Sequence, residues 1–328
     1  MSCLSFFLVC VDLLTNCHQT NQTWITTLTH SLSLQSQPSH PFHSNPYHLK
    51  SITIDSYSMF GQRIGFLKLT ADISTSSSSG AFSSNTNNNN NNNQNESKLP
   101  GVIFLRGPAV GMLVVLIPDD SNPASASTSA SETTLNDDDN EKEAYVVLTV
   151  QPRIAAGSLG FVELPAGMLD DESNFAGVAA RELEEELGLV IKQDELVCLT
   201  DKVAEVKRAR EKKEDDGGAS MTSTNPQHET LPYAMYPSAG GCDEYIKIFA
   251  HEKRVARNTL HEWEGKYGGL RAQGEMITLK LVRLQDLWWE GGMDAKALAA
   301  VTMYQQLKRW ERSGGGGSGS SDRGKGKI

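Results

Sequence analysis

Glu182 and Glu184 to Glu186 put four glutamates into five positions, inside the segment GMLDDESNFAGVAARELEEELGL that runs from Gly167 to Leu189. On a helix, residues three and four apart share a face, so Glu182, Glu185 and Glu186 point toward one volume. Like charges crowded there repel unless something neutralises them. A hard divalent cation such as Mg²⁺ does so, because it prefers oxygen ligands. A run of charge is more often a solvated helix face; the flanking residues favour the metal-holding reading.

Those flanks define how the helix is placed. Phe175, Val178, Ala179, Leu183 and Leu187 recur at helical spacing and predict a buried stripe. Asp171, Glu172 and Ser173 are capping candidates at the positive end of the helix dipole. Gly188 is a natural stop. Phe161 to Leu164 reads as a short strand, and Pro165-Ala166-Gly167 as a loop. A strand, a glycine-containing loop and an acidic helix in succession let loop carbonyls reach a metal beside the helix carboxylates.

The segment resembles the signature of the Nudix hydrolases, GX5EX7REUXEEXGU with U aliphatic. Gly167, Arg181, Glu182, Leu183, Glu185, Glu186, Gly188 and Leu189 match at the required spacing. Ser173 stands where the pattern asks for glutamate, with Glu172 one residue early. In the family that glutamate supports the loop and the signature arginine, so altered support is expected rather than lost chemistry. Ile103 to Val110, Gln151-Pro152-Arg153, Glu163 to Asp171 and Pro237 to Glu244 follow in order. Together they resemble the ADP-sugar diphosphatase branch, of the plant type that hydrolyses ADP-glucose and ADP-ribose.

That resemblance runs from about Ser51 to Trp310 and carries several implications. The fold class is α/β, a Nudix-type α/β/α sandwich with a mixed sheet and a small N-terminal β element that contributes to a homodimer. The cofactor is Mg²⁺, with Mn²⁺ as the alternative. Glu182 and Glu186 are the direct metal ligands, Glu185 is close behind, and the carbonyl of Ala166 is the backbone ligand. Arg181 clamps a carboxylate. Glu275 is the first choice of catalytic base, Glu244 the second, and Glu185 takes the role if both fail. Arg153 contacts phosphate, and Arg106 is a weaker candidate. Glu163 faces the substrate or sits in an edge strand, and Ser238, Gly240 and Gly241 shape the pocket rim. The reaction implied is ADP-sugar plus water giving AMP and sugar 1-phosphate. The alternatives are a catalytically weak nucleotide-binding module, or a hydrolase of a dinucleotide or RNA cap.

A net charge of -10 over 328 residues argues against a general binder of the phosphate backbone, so no nucleic-acid partner is expected. Cys3, Cys10 and Cys17 lie near the N-terminus, leaving Cys198 and Cys242, too few for a disulfide framework. Cys242 has no histidine nearby in sequence to activate it. The apolar run Leu4 to Val11 is too short to span a membrane.

The chain divides by composition. Residues 1–50 read as a disordered leader, poor in acids but lacking arginine, with a plastid address suggested by the resemblance and the cytoplasm as the alternative. Residues 51–73 form the N-terminal β element and 74–98 a disordered insertion rich in Ser and Asn. The resemblance places the Nudix domain at residues 99–311, with flexible insertions expected at 119–143 and 206–229, and 312–328 reads as a Gly/Ser tail. Strands are expected at Ser51 to Asp55, Ile64 to Leu69, Val102 to Leu105, Val110 to Ile117, Tyr145 to Val150, Glu195 to Leu199, Tyr245 to Ala250 and Ile277 to Val282. A second helix opens near Asp294 with Ala297, Ala300, Val301, Tyr304 and Leu307 on one side, and Trp288 and Trp289 are expected in packing.

Overall fold

Val110 to Ile117, VGMLVVLI, is apolar at nearly every position, as a strand covered on both faces requires. The computed structural model describes residues 19–75, 97–119, 143–169, 174–216, 229 and 231–314, and places this run in β5 (Ala109–Asp119). Its side chains alternate between two cores. Ala109, Leu113, Val115 and Ile117 enter one, and Val110, Met112, Val114 and Leu116 enter the other. The structure separates into two compact units, and β5 belongs to the second, made of Ala109–Asp216, Tyr233–Pro237 and Tyr245–Ile328.

The sheet of this unit has the order β11 (Tyr267–Gly268), β12 (Ile277–Arg283), β6 (Tyr145–Arg153), β5, β10 (Ile246–Ala256) and β9 (Val197–Cys198). β10 runs parallel to β5 and the other pairs are antiparallel, so the sheet is mixed, as expected. β5 and β6 pair only at Val115↔Val146 and Leu116↔Tyr145. Beyond that point β7 (Ser158–Glu163) takes β6 as its partner, and β8 (Ala166–Met168) takes β5. The bend Leu164-Pro165 therefore lies where the two central strands have parted.

Helices cover both faces. On one, α2 (Phe175–Leu187) buries Val178, Ala179, Leu183 and Leu187 against β5 and β12 residues such as Met112 and Leu279. On the other, α3 (Leu199–Asp216), the short α4 (Leu287–Glu290) and α5 (Ala295–Arg312) bury Leu199, Leu287, Ala300, Tyr304 and Leu307. Each large aliphatic side chain so buried is worth roughly 1.5–3 kcal/mol over exposure. The result is the expected α/β/α sandwich. No described helix is long and apolar enough to cross a membrane.

The first unit comprises Met1–Pro108, Gly217–Pro232 and Ser238–Glu244. Its sheet pairs β1 (Tyr47–Phe60) with β2 (Arg63–Thr75), and β2 with both β3 (Lys98–Leu99) and β4 (Val102–Leu105). Leu67, Leu69, Ala71 and Ile73 alternate onto one face of β2, where Trp24, Leu28 and Leu32 of α1 (Gln19–Leu34) pack.

Several boundaries differ from expectation. Residues 19–50 are not an unstructured leader: they hold α1 and the start of β1. Trp24, Leu28 and Leu32 recur every four residues, enough for a packed stripe in a helix otherwise rich in Ser and Thr. β2 continues through Ser74 and Thr75, and β3 begins at Lys98, so the ends of the 74–98 insertion are strand. Residues 206–216 are helical, because Val203 and Val206 pack on the core and hold α3 in place. β4 belongs to the N-terminal sheet rather than to the main domain. Only Val197–Cys198 of the expected strand at Glu195 to Leu199 is extended. Trp288 and Trp289 are 60% and 53% exposed and meet edge to face, not in packing against the core. The interiors of the 74–98, 119–143 and 206–229 tracts, and the tail beyond Gly314, lie outside the described residues.

Candidate active site

α2 starts at Asn174, whose Oδ1 accepts from the Gly177 N–H at 3.0 Å. The expected caps Asp171, Glu172 and Ser173 lie outside the described residues, so the altered signature position does too. The helix ends at Gly188 in the left-handed region (φ 70°), where its N–H bonds to Glu184 and that of Leu189 to Leu183. These two ends fix which way each glutamate points. Glu184 is exposed, Glu182 and Glu185 are half-buried, and Glu186 is buried.

Gly167 explains its place in the motif. A Cβ there would overlap the carboxyl of Glu182, so only glycine lets that side chain lie against the loop. An Arg181 guanidinium nitrogen stands 3.9 Å from Glu182 Oε1, a loose version of the expected clamp. Pro165 accepts from the Met112 N–H at 2.9 Å, and Ala166 pairs opposite Gly111 in β5. The loop backbone is thereby fixed beside α2.

Glu186 Oε2 is buried with no hydrogen-bond partner among the described residues. Burial pushes its carboxyl well above the usual carboxylate range, and the charges of Glu182, Glu275 and Glu163 push it further, while Arg153 pulls the other way. The groups that bear on Glu186 thus come from β6, β7, α2 and the loop before β12. Glu275 is brought there by its own loop: its Oε2 accepts from the Leu270 N–H at 2.8 Å, and the Gly269 N–H donates to the carbonyl of Glu185 at 3.1 Å.

The structure does not gather Glu182, Glu185 and Glu186 into one cage. Among the described residues no three His, Cys, Asp or Glu side chains are grouped closely enough to hold a metal by themselves. Glu185 and Glu186 are successive on the helix and diverge around its axis. Glu182 is laid along Gly167. Two carboxylates and a carbonyl remain compatible with Mg²⁺, which usually takes one or two carboxylates and completes its shell with water and substrate phosphate.

Glu163, at the end of β7, is 3% exposed and faces this polar region. Its Oε1 accepts from Arg153 Nε at 2.6 Å and its Oε2 from Lys296 Nζ at 2.9 Å. Lys296 also meets Asp294 Oδ1 at 3.0 Å. Burial works to lower the Lys296 ammonium, but the Asp294 and Glu163 carboxylates outweigh it and the net shift is upward. Sequence reading missed Lys296, although one signal was present. A lysine in the first turn of a helix opposes the helix dipole and needs a carboxylate partner.

Arg106, Ser238, Gly240, Gly241 and Glu244 fall in the first unit. There Arg106 Nη1 lies 3.3 Å from Glu244 Oε1, and the Arg106 and Gly107 N–H groups donate to Asp243 Oδ1 at 2.8 and 3.1 Å. Ser238 accepts from the Gly241 and Cys242 N–H groups, making a tight turn with open space around both glycines. Burial raises the Cys242 thiol, which opposes a nucleophilic role.

Residues 134–295 match the NUDIX domain. Nudix hydrolase 14, chloroplastic, of Arabidopsis thaliana is 33% identical over 262 residues, covering 80% of this chain. The chain spans 64% of the length of that relative. With an acidic helix following a glycine loop on a mixed sheet, this chain carries a Nudix domain over residues 134–295.

Proposed function

We propose that the chain hydrolyses the pyrophosphate bond of ADP-sugars, ADP-glucose and ADP-ribose foremost, to AMP and a sugar phosphate with Mg²⁺ as cofactor. The observation that carries the reading is the buried, unpaired Glu186 Oε2 with Glu182, Glu275 and Glu163 pressing on it. An isolated carboxylate in that position is costly, and a divalent cation offsets the cost. The residues present fit such an ion: Glu182 and Glu186 would hold it, with the Ala166 carbonyl as a further oxygen donor. Bound there, it would neutralise charge building on the phosphoryl oxygens and acidify water.

The chain's own residues supply the rest. Arg153 offers a guanidinium fork to phosphate, held by its Nε on Glu163. Glu275 takes the proton from the attacking water, and its hydrogen bond to the Leu270 N–H aims the carboxylate. Within the first unit, Glu244 and Arg106 pair with each other. The likeness to a chloroplastic Nudix hydrolase supports a hydrolase and a plastid location for this chain. Exposed Tyr57, Met59, Phe60, Val102 and Phe104 of the first unit support its role in a homodimer.

The rival reading is a catalytically weak nucleotide-binding module, motivated by Ser173 in the signature. Release of AMP from ADP-ribose separates the two. The enzyme reading expects turnover that needs Mg²⁺ and stops with a chelator. Tight binding of ADP-ribose without AMP release in saturating Mg²⁺ or Mn²⁺ would establish the rival.

A further inference from the structure

We propose that Lys296 is a positioning residue that acts through Glu163 to hold Arg153 in its phosphate-accepting pose; the proposal rests on the reading of Arg153 given above. Lys296 is the second residue of α5, and its side chain is 13% exposed. Its Nζ joins Glu163 Oε2 at 2.9 Å to Asp294 Oδ1 at 3.0 Å. Asp294 in turn accepts from the Lys296 N–H at 3.0 Å and, through Oδ2, from the Leu164 N–H at 2.9 Å. Leu164 directly follows Glu163, so the contacts close a ring: Asp294, Leu164 backbone, Glu163, Lys296 and back.

The ring ties the N-terminus of α5 to the end of β7, where the backbone of Glu163 is paired with Thr149 of β6 and its side chain is held by the ring. Arg153 hangs from it by one bond, Nε to Glu163 Oε1 at 2.6 Å. Its terminal nitrogens have no hydrogen-bond partner among the described residues, and the side chain is 42% exposed. A guanidinium fixed at Nε and open at its two ends is set for bidentate contact with a phosphate. Two cations and two carboxylates balance, so no member can be neutralised without leaving another buried charge uncompensated. Without Lys296, Glu163 keeps its length but loses its anchor, and Arg153 regains rotamers that substrate must then freeze.

A cycle of Lys296→Met, Arg153→Ala and the double variant tests this, with kcat and KM for ADP-ribose and melting temperature as readouts. Each single change should raise KM about tenfold, with kcat held within about threefold. The double variant should be no worse than Arg153→Ala alone, because both changes remove one interaction. Lys296→Arg should recover part of the loss. A lowered melting temperature with KM unchanged in Lys296→Met, beside a raised KM in Arg153→Ala, would overturn the positioning role alone. Fully additive effects would do the same. An unchanged KM in Arg153→Ala overturns it together with the phosphate role of Arg153. If Lys296→Met does not fold, Glu163→Gln takes its place in the cycle, with the same expected non-additivity. The dissociation constant for ADP-ribose in chelator, measured on the same variants, carries the comparison where turnover is absent, with the same outcomes for and against.

Discussion

Glu186 and Glu184 differ by two positions and by everything around them. Glu186→Gln should lower kcat by roughly 10²-fold or more, the loss of a charge-stabilising contribution of about 3 kcal/mol. The same change should raise the melting temperature of the metal-free protein, because a neutral amide replaces an unpaired buried carboxylate. Glu184→Gln, at an exposed position, should leave both nearly unchanged. Equal kinetic effects of the two would contradict the assignment. Cys198 gives a prediction in pH. Burial pushes its thiol up to about 11 from an ordinary 9.0. The folded state therefore binds the proton more tightly, so this contribution is fully present below about pH 9 and is lost as pH rises through about 11. Denaturant unfolding of wild type and Cys198→Ala should converge by roughly 2 kcal/mol between about pH 8.5 and 10.5; parallel curves would refute the shift. Residues of the acidic helix were legible because their spacing lies within one element. Lys296 was not, since its partner Glu163 is 133 positions away.

At the scale of elements, periodicity carried furthest where one face is buried. The stripe of α2 and the apolar run of β5 were both readable, and both form parts of the sandwich. It failed at α1, where the packed Trp24, Leu28 and Leu32 are diluted by Ser, Thr and His, and at α3, whose charged second half hides the anchors Val203 and Val206. The loop before β12 was read as an isolated acid beside a strand. The structure shows why it holds position: Gly269 donates to the Glu185 carbonyl, and Leu270 to Glu275. That loop supplies the base prediction. Glu275→Gln should lose at least about 10²-fold in kcat with substrate binding largely intact. Glu244→Gln, which breaks the pair with Arg106 in the first unit, should lose less and mostly raise KM. Steady-state rates with ADP-ribose at saturating Mg²⁺ decide between them. Near-normal kcat in Glu275→Gln beside a collapse in Glu244→Gln would reverse the roles.

Across the whole chain, the division into two units and the long polar tracts set what can be removed. Residues 76–96 leave β2 at Thr75 and return at Ser97, whose backbone groups already meet: Thr75 N–H donates to the Ser97 carbonyl at 3.0 Å, and the Ser97 N–H to Thr75 Oγ1 at 3.2 Å. Replacing the tract with a short turn should therefore preserve activity and shift stability by about 1 kcal/mol or less, since loop length enters only logarithmically. Loss of soluble protein on excision would show the tract to be structural. Composition marked such tracts but not their ends, because strand pairing in β2 and β3 reaches into sequence that reads as polar loop. Which sugar nucleotide fits was not legible at all, because sequence does not give the loop geometry that would read its hydroxyls. The central claim is that the cluster around Glu186 cleaves ADP-sugars, and its most direct test is a side-by-side rate comparison on ADP-glucose, ADP-ribose, a dinucleoside polyphosphate and capped RNA, each with Mg²⁺ and product analysis. Fastest cleavage of an ADP-sugar to AMP and sugar phosphate, lost in Glu186→Gln, is the result predicted. Faster cleavage of capped RNA or the dinucleotide, or turnover that survives Glu186→Gln, would contradict it.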